Sequence, residues 1–433
     1  MLNKKSFVPK ELTIKKNEAK SYWRSFARKA VLNKFQTIKF GLLRVVEANR
    51  VICFGNEISG FKISAVINVL DKRMYTEIIA KGLNGAAEAY MRGWWTCDNL
   101  TSLIQIFIRN RESANNLERG IAGLASRIFR IFHEMRRNTR KNSLKNITAH
   151  YDLGNDFFST FLDETKLYSC AIFENETSSL KDASIYKIDR ICQKLRLSPE
   201  DHVLEIGSGW GGFAILAAKN YGCRITTTTI SQKQYEYAKQ KVHDVGLNEK
   251  IQVIKKDYRD LEGCFDKLVS IEMIEAVGYQ YFENFFHKCG DLLKPEGLML
   301  LQGIIITDHL YEDAKRFADF IKTYIFPGSC IPSITALCGA AAKSTDMRLL
   351  HLEDITSHYV KTLNHWRIRF MDNIHQVRDQ GFSEVFIRLW EFYFCYCEAG
   401  FLERQIGDVQ MIFTKPLCRI DPILPILNKN SQY

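Results

Sequence analysis

From residue 202 onward, short apolar runs alternate with stretches of helical periodicity. The runs are HVLEIGSG, CRITTTTI, IQVIKKD, KLVSIEM and LMLLQGIII, and the stretches between them reach Tyr221, about Val245 and Leu293. Runs bounded by turn residues and linked by helical crossovers imply a parallel sheet with helices on its faces. The pattern predicts an α/β, doubly wound domain over 150–415. It carries a mostly helical insertion over about 308–406, with GDVQMIFTK as a last edge strand and an irregular tail over 416–433.

Upstream, residues 1–110 read as a smaller α+β domain. RVICFGN and FKISAVINV are strands, with Gly55 and Asn56 as turn residues between them. IIAKGLNGAAEAYMRGWW is a helix that runs through Gly82 and Gly85 to Trp94 and Trp95. Residues 111–149 form a linker whose apolar positions Ile121, Leu124, Ala125, Ile128, Ile131, Phe132 and Met135 recur at helical spacing. Arg127, Arg130, Arg136, Arg137, Arg140, Lys141 and Lys145 decorate the remainder. A basic amphipathic helix of this kind suits an anionic bilayer, and a core-packed helix with a solvated linker is the plainer account.

Composition changes the picture in one respect. The 433 residues are 46% hydrophobic and 25% charged, ordinary values for a chain of two or three domains, but the formal net charge is +11. That excess favours an anionic partner, nucleic acid or membrane, without choosing between them. No run reaches the length of a membrane span, and the N-terminus lacks the apolar stretch of a secretory signal. The expected location is therefore the cytoplasm. The 12 cysteines have no zinc-like spacing, so free thiols and no metal are expected.

Candidate chemistry gathers at the predicted strand ends. In VLEIGSGWGGFAILA, Glu205 precedes a tight turn of Gly207, Ser208, Gly209, Trp210 and Gly211. Glycines there let a ligand approach the backbone, as in many nucleotide sites. The next strand ends in TISQKQ, where Thr229 and Gln234 present hydrogen-bonding groups. The third is followed by KKDYRDL, with Asp257 as an acceptor, Tyr258 as a ring to stack on and Arg259 beside it. Successive parallel strands open on one edge of the sheet, so the three segments together favour S-adenosylmethionine. Finally, DKLVSIEMIEAVGY ends an apolar strand on Glu272 and Glu275. A carboxylate at such a place needs a partner.

The chain resembles the cyclopropane-fatty-acid synthase family of S-adenosylmethionine-dependent enzymes. The resemblance runs through HYDLGNDFFSTFLDETKLYSCAIF, LEIGSGWGG, TISQKQ, DYRDL, IEMIEAVG, LKPEG, YIFPGSCIPS and YFCYCEAGF, and GAAEAYMRGWW is similar to the lipid-binding domain of long members. It implies a class I methyltransferase fold and a one-carbon transfer onto the cis double bond of an unsaturated acyl chain in a membrane phospholipid. A carbocation forms, and a bound bicarbonate removes a proton so that a cyclopropane ring closes. It further implies that Tyr168, Ser169, Ile230, Ser231 and Arg259 join the donor site. Glu275 would grip the bicarbonate, Cys170 and Ile304 would line its pocket with backbone, and Tyr359 would donate from its phenol. Cys397 matches a family cysteine sometimes regarded as an active-site thiol, although this chemistry needs no covalent enzyme intermediate.

Gln302 departs from the family's usual histidine. An amide donates hydrogen bonds but carries no proton or charge, so Gln302 reads as a variant ligand with bicarbonate still held by Glu275 and Tyr359, and a methyl- or methylene-branched product is the alternative outcome. A nucleic-acid methyltransferase is disfavoured because no NPPY-like base-flipping tetrapeptide is present. A non-catalytic lipid binder is disfavoured by the complete set of donor segments. The partner is then a phospholipid membrane reached peripherally from its inner face, with a homodimer left open.

Overall fold

The computed structural model describes residues 10–111, 153–316 and 318–424, with side chains from residue 22. The basic linker expected over 111–149 lies almost wholly outside the described residues. Two compact units are present. One comprises residues up to 111 together with Phe382–Ala399, and the other comprises 153–381 together with 400–424.

The first unit holds helices α1 (Lys10–Phe35), α2 (Arg73–Met91) and α3 (Leu100–Arg109). Its sheet has strands β1 (Leu42–Glu47), β2 (Arg50–Phe54), β3 (Ser64–Val69) and β4 (Trp95–Cys97), in the order β2-β1-β3-β4. The two expected strands are there, but they are not neighbours. β1, which the sequence reading passed over, pairs antiparallel with β2 and parallel with β3, so Gly55 and Asn56 do not close a hairpin. α2 is interrupted at Gly82, whose φ of 58° is outside the helical region. Phe382–Ala399, expected in the catalytic domain, packs here instead. Glu391 accepts from the Tyr90 hydroxyl at 2.8 Å and Glu398 from the Thr101 hydroxyl at 3.2 Å.

The second unit is built on β5 (His202–Ile206), β6 (Arg224–Thr229), β7 (Ile251–Lys255), β8 (Phe265–Ile271), β9 (Leu293–Ile306), β10 (Arg348–Asp354) and β11 (Ile406–Thr414). Their order is β10-β11-β9-β8-β5-β6-β7. β5 to β9 run parallel, as the alternation predicts. β11 is antiparallel to β9 and is not the edge: β10, drawn from within the stretch expected to be helical, covers it.

Neighbouring residues on one strand serve opposite cores. Val203, Leu298 and Leu300 pack with helices α4 (Leu180–Lys194) and α5 (Gly212–Tyr221), while Leu204, Met299 and Leu301 pack with α7 (Phe282–Leu292) and α8 (Ile334–Ser344). Both faces are covered, which is why these strands read as continuous apolar runs. Helix α6 (Gln232–Asp244) follows β6, α9 (Thr356–Asp372) follows β10, and α10 (Glu384–Leu402) spans the boundary between the units.

Candidate active site

β5 lies between β6 and β8, so the chain order reverses at the β5–β8 border. Open α/β sheets bind ligands outside the carboxyl ends of the strands at such a reversal. The loops that meet there are 207–211 after β5 and 272–278 after β8. In the first, Gly207, Gly209 and Gly211 all have positive φ, and the Gly207 and Ser208 amides donate to the Thr228 carbonyl. A Cβ at Gly209 would face open space, which leaves bare backbone toward the crevice. A Cβ at Gly207 would lie 3.3 Å from the Met273 Cγ, so the glycine loop rests against the carboxylate loop.

The remaining donor candidates sit at neighbouring strand ends. The Thr229 hydroxyl donates to Gln234 Oε1 at 2.9 Å, and Ser231 caps α6 by accepting the Gln234 amide, with half-buried Ile230 between them. Asp257 is clamped by Arg259 through Nε at 2.8 Å and Nη2 at 2.6 Å, and Tyr258 packs edge-on against Phe285. Glu205 is buried on β5 and accepts from the Thr227 hydroxyl at 2.5 Å; burial pushes its pKa up to about 8. The Trp210 indole donates to Asn155 at 2.7 Å. The Ser169 hydroxyl accepts from Lys187 at 2.7 Å. The bare glycine backbone and the polar strand ends fit a nucleoside bearing an amino-acid tail.

The acidic half of the site centres on Glu272, which the sequence pattern alone did not distinguish from Glu275. Glu272 follows β8 with φ of 48°, a conformation that costs a non-glycine residue on the order of 1 kcal/mol. Its Oε1 accepts from the Cys170 amide at 2.7 Å and from Gln302 Nε2 at 2.9 Å, and its Oε2 accepts from the Tyr359 hydroxyl at 2.6 Å. Glu275 engages the Ile304 amide through Oε1 at 2.5 Å, while its Oε2 is buried without a hydrogen-bond partner. Burial, and then the neighbouring Glu272 charge, push Glu275 up to about 8.

Asp408 joins them from β11. Burial and the charges of Glu272 and Glu275 hold it well above the usual carboxylate range, which favours its neutral form. Lys187 of α4, whose own pKa is lowered by burial, offsets part of the rise at both Glu272 and Asp408. Glu272 itself is raised by burial, against the opposing hydrogen bond from Tyr359.

Gln302 is oriented by a relay through the sheet. Lys194 has no acceptor, so it must donate to Gln410 Oε1, which it does at 2.5 Å. Gln410 therefore presents Nε2 to Gln302 Oε1 at 3.0 Å, which turns the Gln302 amino group toward Glu272 and Asp408. Lys194 is anchored in turn by Glu353.

Aromatic rings wall the site. Tyr359 stacks on Phe401 at 4.4 Å and meets Trp366 edge-on at 6.1 Å, and Tyr168 lies 5.2 Å from Trp366 and 5.5 Å from Phe158. Cys170 is fully buried, desolvation holds its thiol well above its ordinary pKa, and its backbone amide is the group that meets Glu272. Cys397 is half-buried and falls within the first unit.

The expected catalytic set is thus divided. Ile304 bonds Glu275, whereas Cys170, Gln302 and Tyr359 bond Glu272. Asp408 and Lys187 were missed. Asp408 left one trace, an acid inside a mostly apolar strand, and Lys187 left none in a polar helix.

The family model of mycolic acid cyclopropane synthetase matches residues 138–411. The chain belongs to this family. It is 36% identical over 327 residues to the tuberculostearic acid methyltransferase UfaA1 of Mycobacterium tuberculosis, covering 74% of this chain and 76% of that one. It is 32% identical over 356 residues to the cyclopropane-fatty-acyl-phospholipid synthase of Escherichia coli, covering 81% and 88%. Among solved structures, the cyclopropane synthase MmaA2 from Mycobacterium tuberculosis aligns with a TM-score of 0.59 at 29% identity, covering 63% of this chain and 98% of that one. The mycolic acid cyclopropane synthase CmaA1, complexed with S-adenosylhomocysteine, aligns at 0.60 and 31%, with the same coverage. The second unit accordingly has the class I methyltransferase fold, and this family member is an S-adenosylmethionine-dependent one-carbon transferase acting on lipid acyl chains.

Proposed function

We propose that the enzyme transfers a methylene group from S-adenosylmethionine to the cis double bond of an unsaturated acyl chain in a membrane phospholipid, forming a cyclopropane ring. The observation that carries this reading is the contact between the glycine loop and a carboxylate loop that faces aromatic rings. S-adenosylmethionine supplies an electrophilic methyl at the crevice. The alkene π pair attacks that methyl, and the positive charge left on the acyl chain is stabilised by the ring faces of Tyr168, Tyr359 and Trp366. A carboxylate then takes a proton from the new methyl as the ring closes.

The resemblance assigned that last step to bicarbonate, and the residues present do not suit such an ion. The Cys170 amide, the Tyr359 hydroxyl and the Gln302 amide are directed at Glu272, and the Ile304 amide at Glu275. A further anion would find its expected donors engaged and the Glu272 carboxylate beside it.

A branched product is the second reading. It is favoured by the neutral Gln302 amide and by the relative that is a tuberculostearic acid methyltransferase. The enzyme would reach lipid from the cytoplasmic face as a peripheral protein. That agrees with the +11 charge, and among the described residues no helix is long and apolar enough to cross a membrane. The test is the fatty-acid profile of an expressing host that lacks such lipids. A gain of one CH2 that co-chromatographs with a cyclopropane standard is expected. A gain of one CH2 that runs with a methylene-branched standard, or of CH2 plus two hydrogens, would establish branching instead.

A further inference from the structure

We infer that Glu272 is itself the base of the one-carbon transfer, a protein carboxylate standing where a diffusible bicarbonate would otherwise be held. The inference rests on the acyl-transfer reading above and deepens it.

Three observations converge on it. First, the Cys170 amide, the Tyr359 hydroxyl and the Gln302 amide end on the two oxygens of Glu272 at 2.6 to 2.9 Å. They form the cage of donors that a planar carboxylate-type anion needs. Second, Glu272 is held in left-handed backbone where glycine would be unstrained, so its side chain is kept at a conformational cost. Third, the relay from Lys194 through Gln410 fixes which end of Gln302 faces the carboxylate, so the cage is oriented before substrate arrives. Burial raises all three carboxyls of the cluster, but only at Glu272 is the rise opposed by the Tyr359, Cys170 and Gln302 hydrogen bonds together with the Lys187 charge.

The step balances without an added reagent. The alkene π pair has formed the bond to the transferred carbon, and the carbon–sulfur pair has left with sulfur. One C–H pair of the new methyl closes the ring onto the cationic carbon, and its proton passes to a Glu272 oxygen. Glu272 leaves the step neutral and, being half-buried, returns the proton to water when product departs.

The test uses the full chain, vesicles of unsaturated phospholipid, a methyl-labelled donor and buffer stripped of carbon dioxide. Wild-type transfer is expected to stay within about twofold whether or not bicarbonate is added, and Glu272→Gln to fall at least about a hundredfold with donor affinity unchanged by calorimetry. Glu272→Gly opens the cage without backbone strain. It is expected to be equally slow, and to recover at least about tenfold when millimolar bicarbonate or formate is added. Carbon-13 bicarbonate NMR gives a readout without lipid: saturable binding is expected for Glu272→Gly and none for wild type. Bicarbonate dependence or saturable bicarbonate binding in wild type would overturn the inference. So would an undiminished Glu272→Gln enzyme, or a Glu272→Gly variant that binds donor but is not rescued. A wild type that transfers no label yet binds no bicarbonate would strike the acyl-transfer reading alone.

Discussion

Glu205 sits opposite Thr227 in the β5–β6 register, with its carboxyl sealed from water. Burial raises its pKa to about 8, so the folded state binds its proton more tightly than the unfolded chain does. Stability from this group is fully present below the unfolded value near 4.5 and is lost as pH rises through about 8. Each pH unit of separation corresponds to about 1.4 kcal/mol, so ionising Glu205 costs the fold on the order of a few kcal/mol. Glu205→Gln keeps an acceptor for the Thr227 hydroxyl. Its thermal midpoint is expected to fall less than that of wild type between pH 6 and pH 9 in a calorimetric series; parallel curves would show that Glu205 is not titrating there. The residues carrying charge at the site were only half visible in the sequence. Glu275 stood out as a carboxylate after an apolar strand. The partnership of Glu272 with Tyr359 spans 87 positions and leaves no local pattern.

At the scale of elements, the short turn Ile274–Ala276 and strand β9 are coupled through Gly303. A Cβ there would lie 2.8 Å from the Ile274 Cγ2 and 3.3 Å from Glu275 Oε1. Gly303→Ala must push that turn outward. It is expected to lower stability by about 1–3 kcal/mol in urea titration and to cut label transfer at least about tenfold. Unchanged transfer would mean that the carboxylate loop tolerates displacement. Strands β5, β8 and β9 were legible because each carries an apolar run packed on both faces. β10 was not: RLLHLED sits among helices and is recruited as an edge by pairing with β11. β1 escaped in the same way, since LLRVVE is defined by its neighbours β2 and β3 rather than by a distinctive alternation.

For the whole molecule, the +11 charge and a lipid substrate point to attraction by an anionic surface. Arg136, Arg137, Arg140 and Lys141 lie outside the described residues, and their sequence density carries this expectation. Neutralising all four is expected to weaken binding to anionic vesicles by about 1 kcal/mol per charge at low salt, and by much less at high salt. Sedimentation that ignores the substitutions would remove the linker from the account of membrane binding.

The order of apolar runs and glycine turns along the chain already determined a doubly wound sheet and a donor crevice at its carboxyl edge. Both follow from periodicity and local backbone freedom, which neighbouring residues set. Which carboxylate gathers the donors was decided by the tertiary structure. The Cys170 amide, the Gln302 amide and the Tyr359 hydroxyl come from three distant segments, and their hydrogen bonds to Glu272 exist only once the sheet and α9 have brought them together.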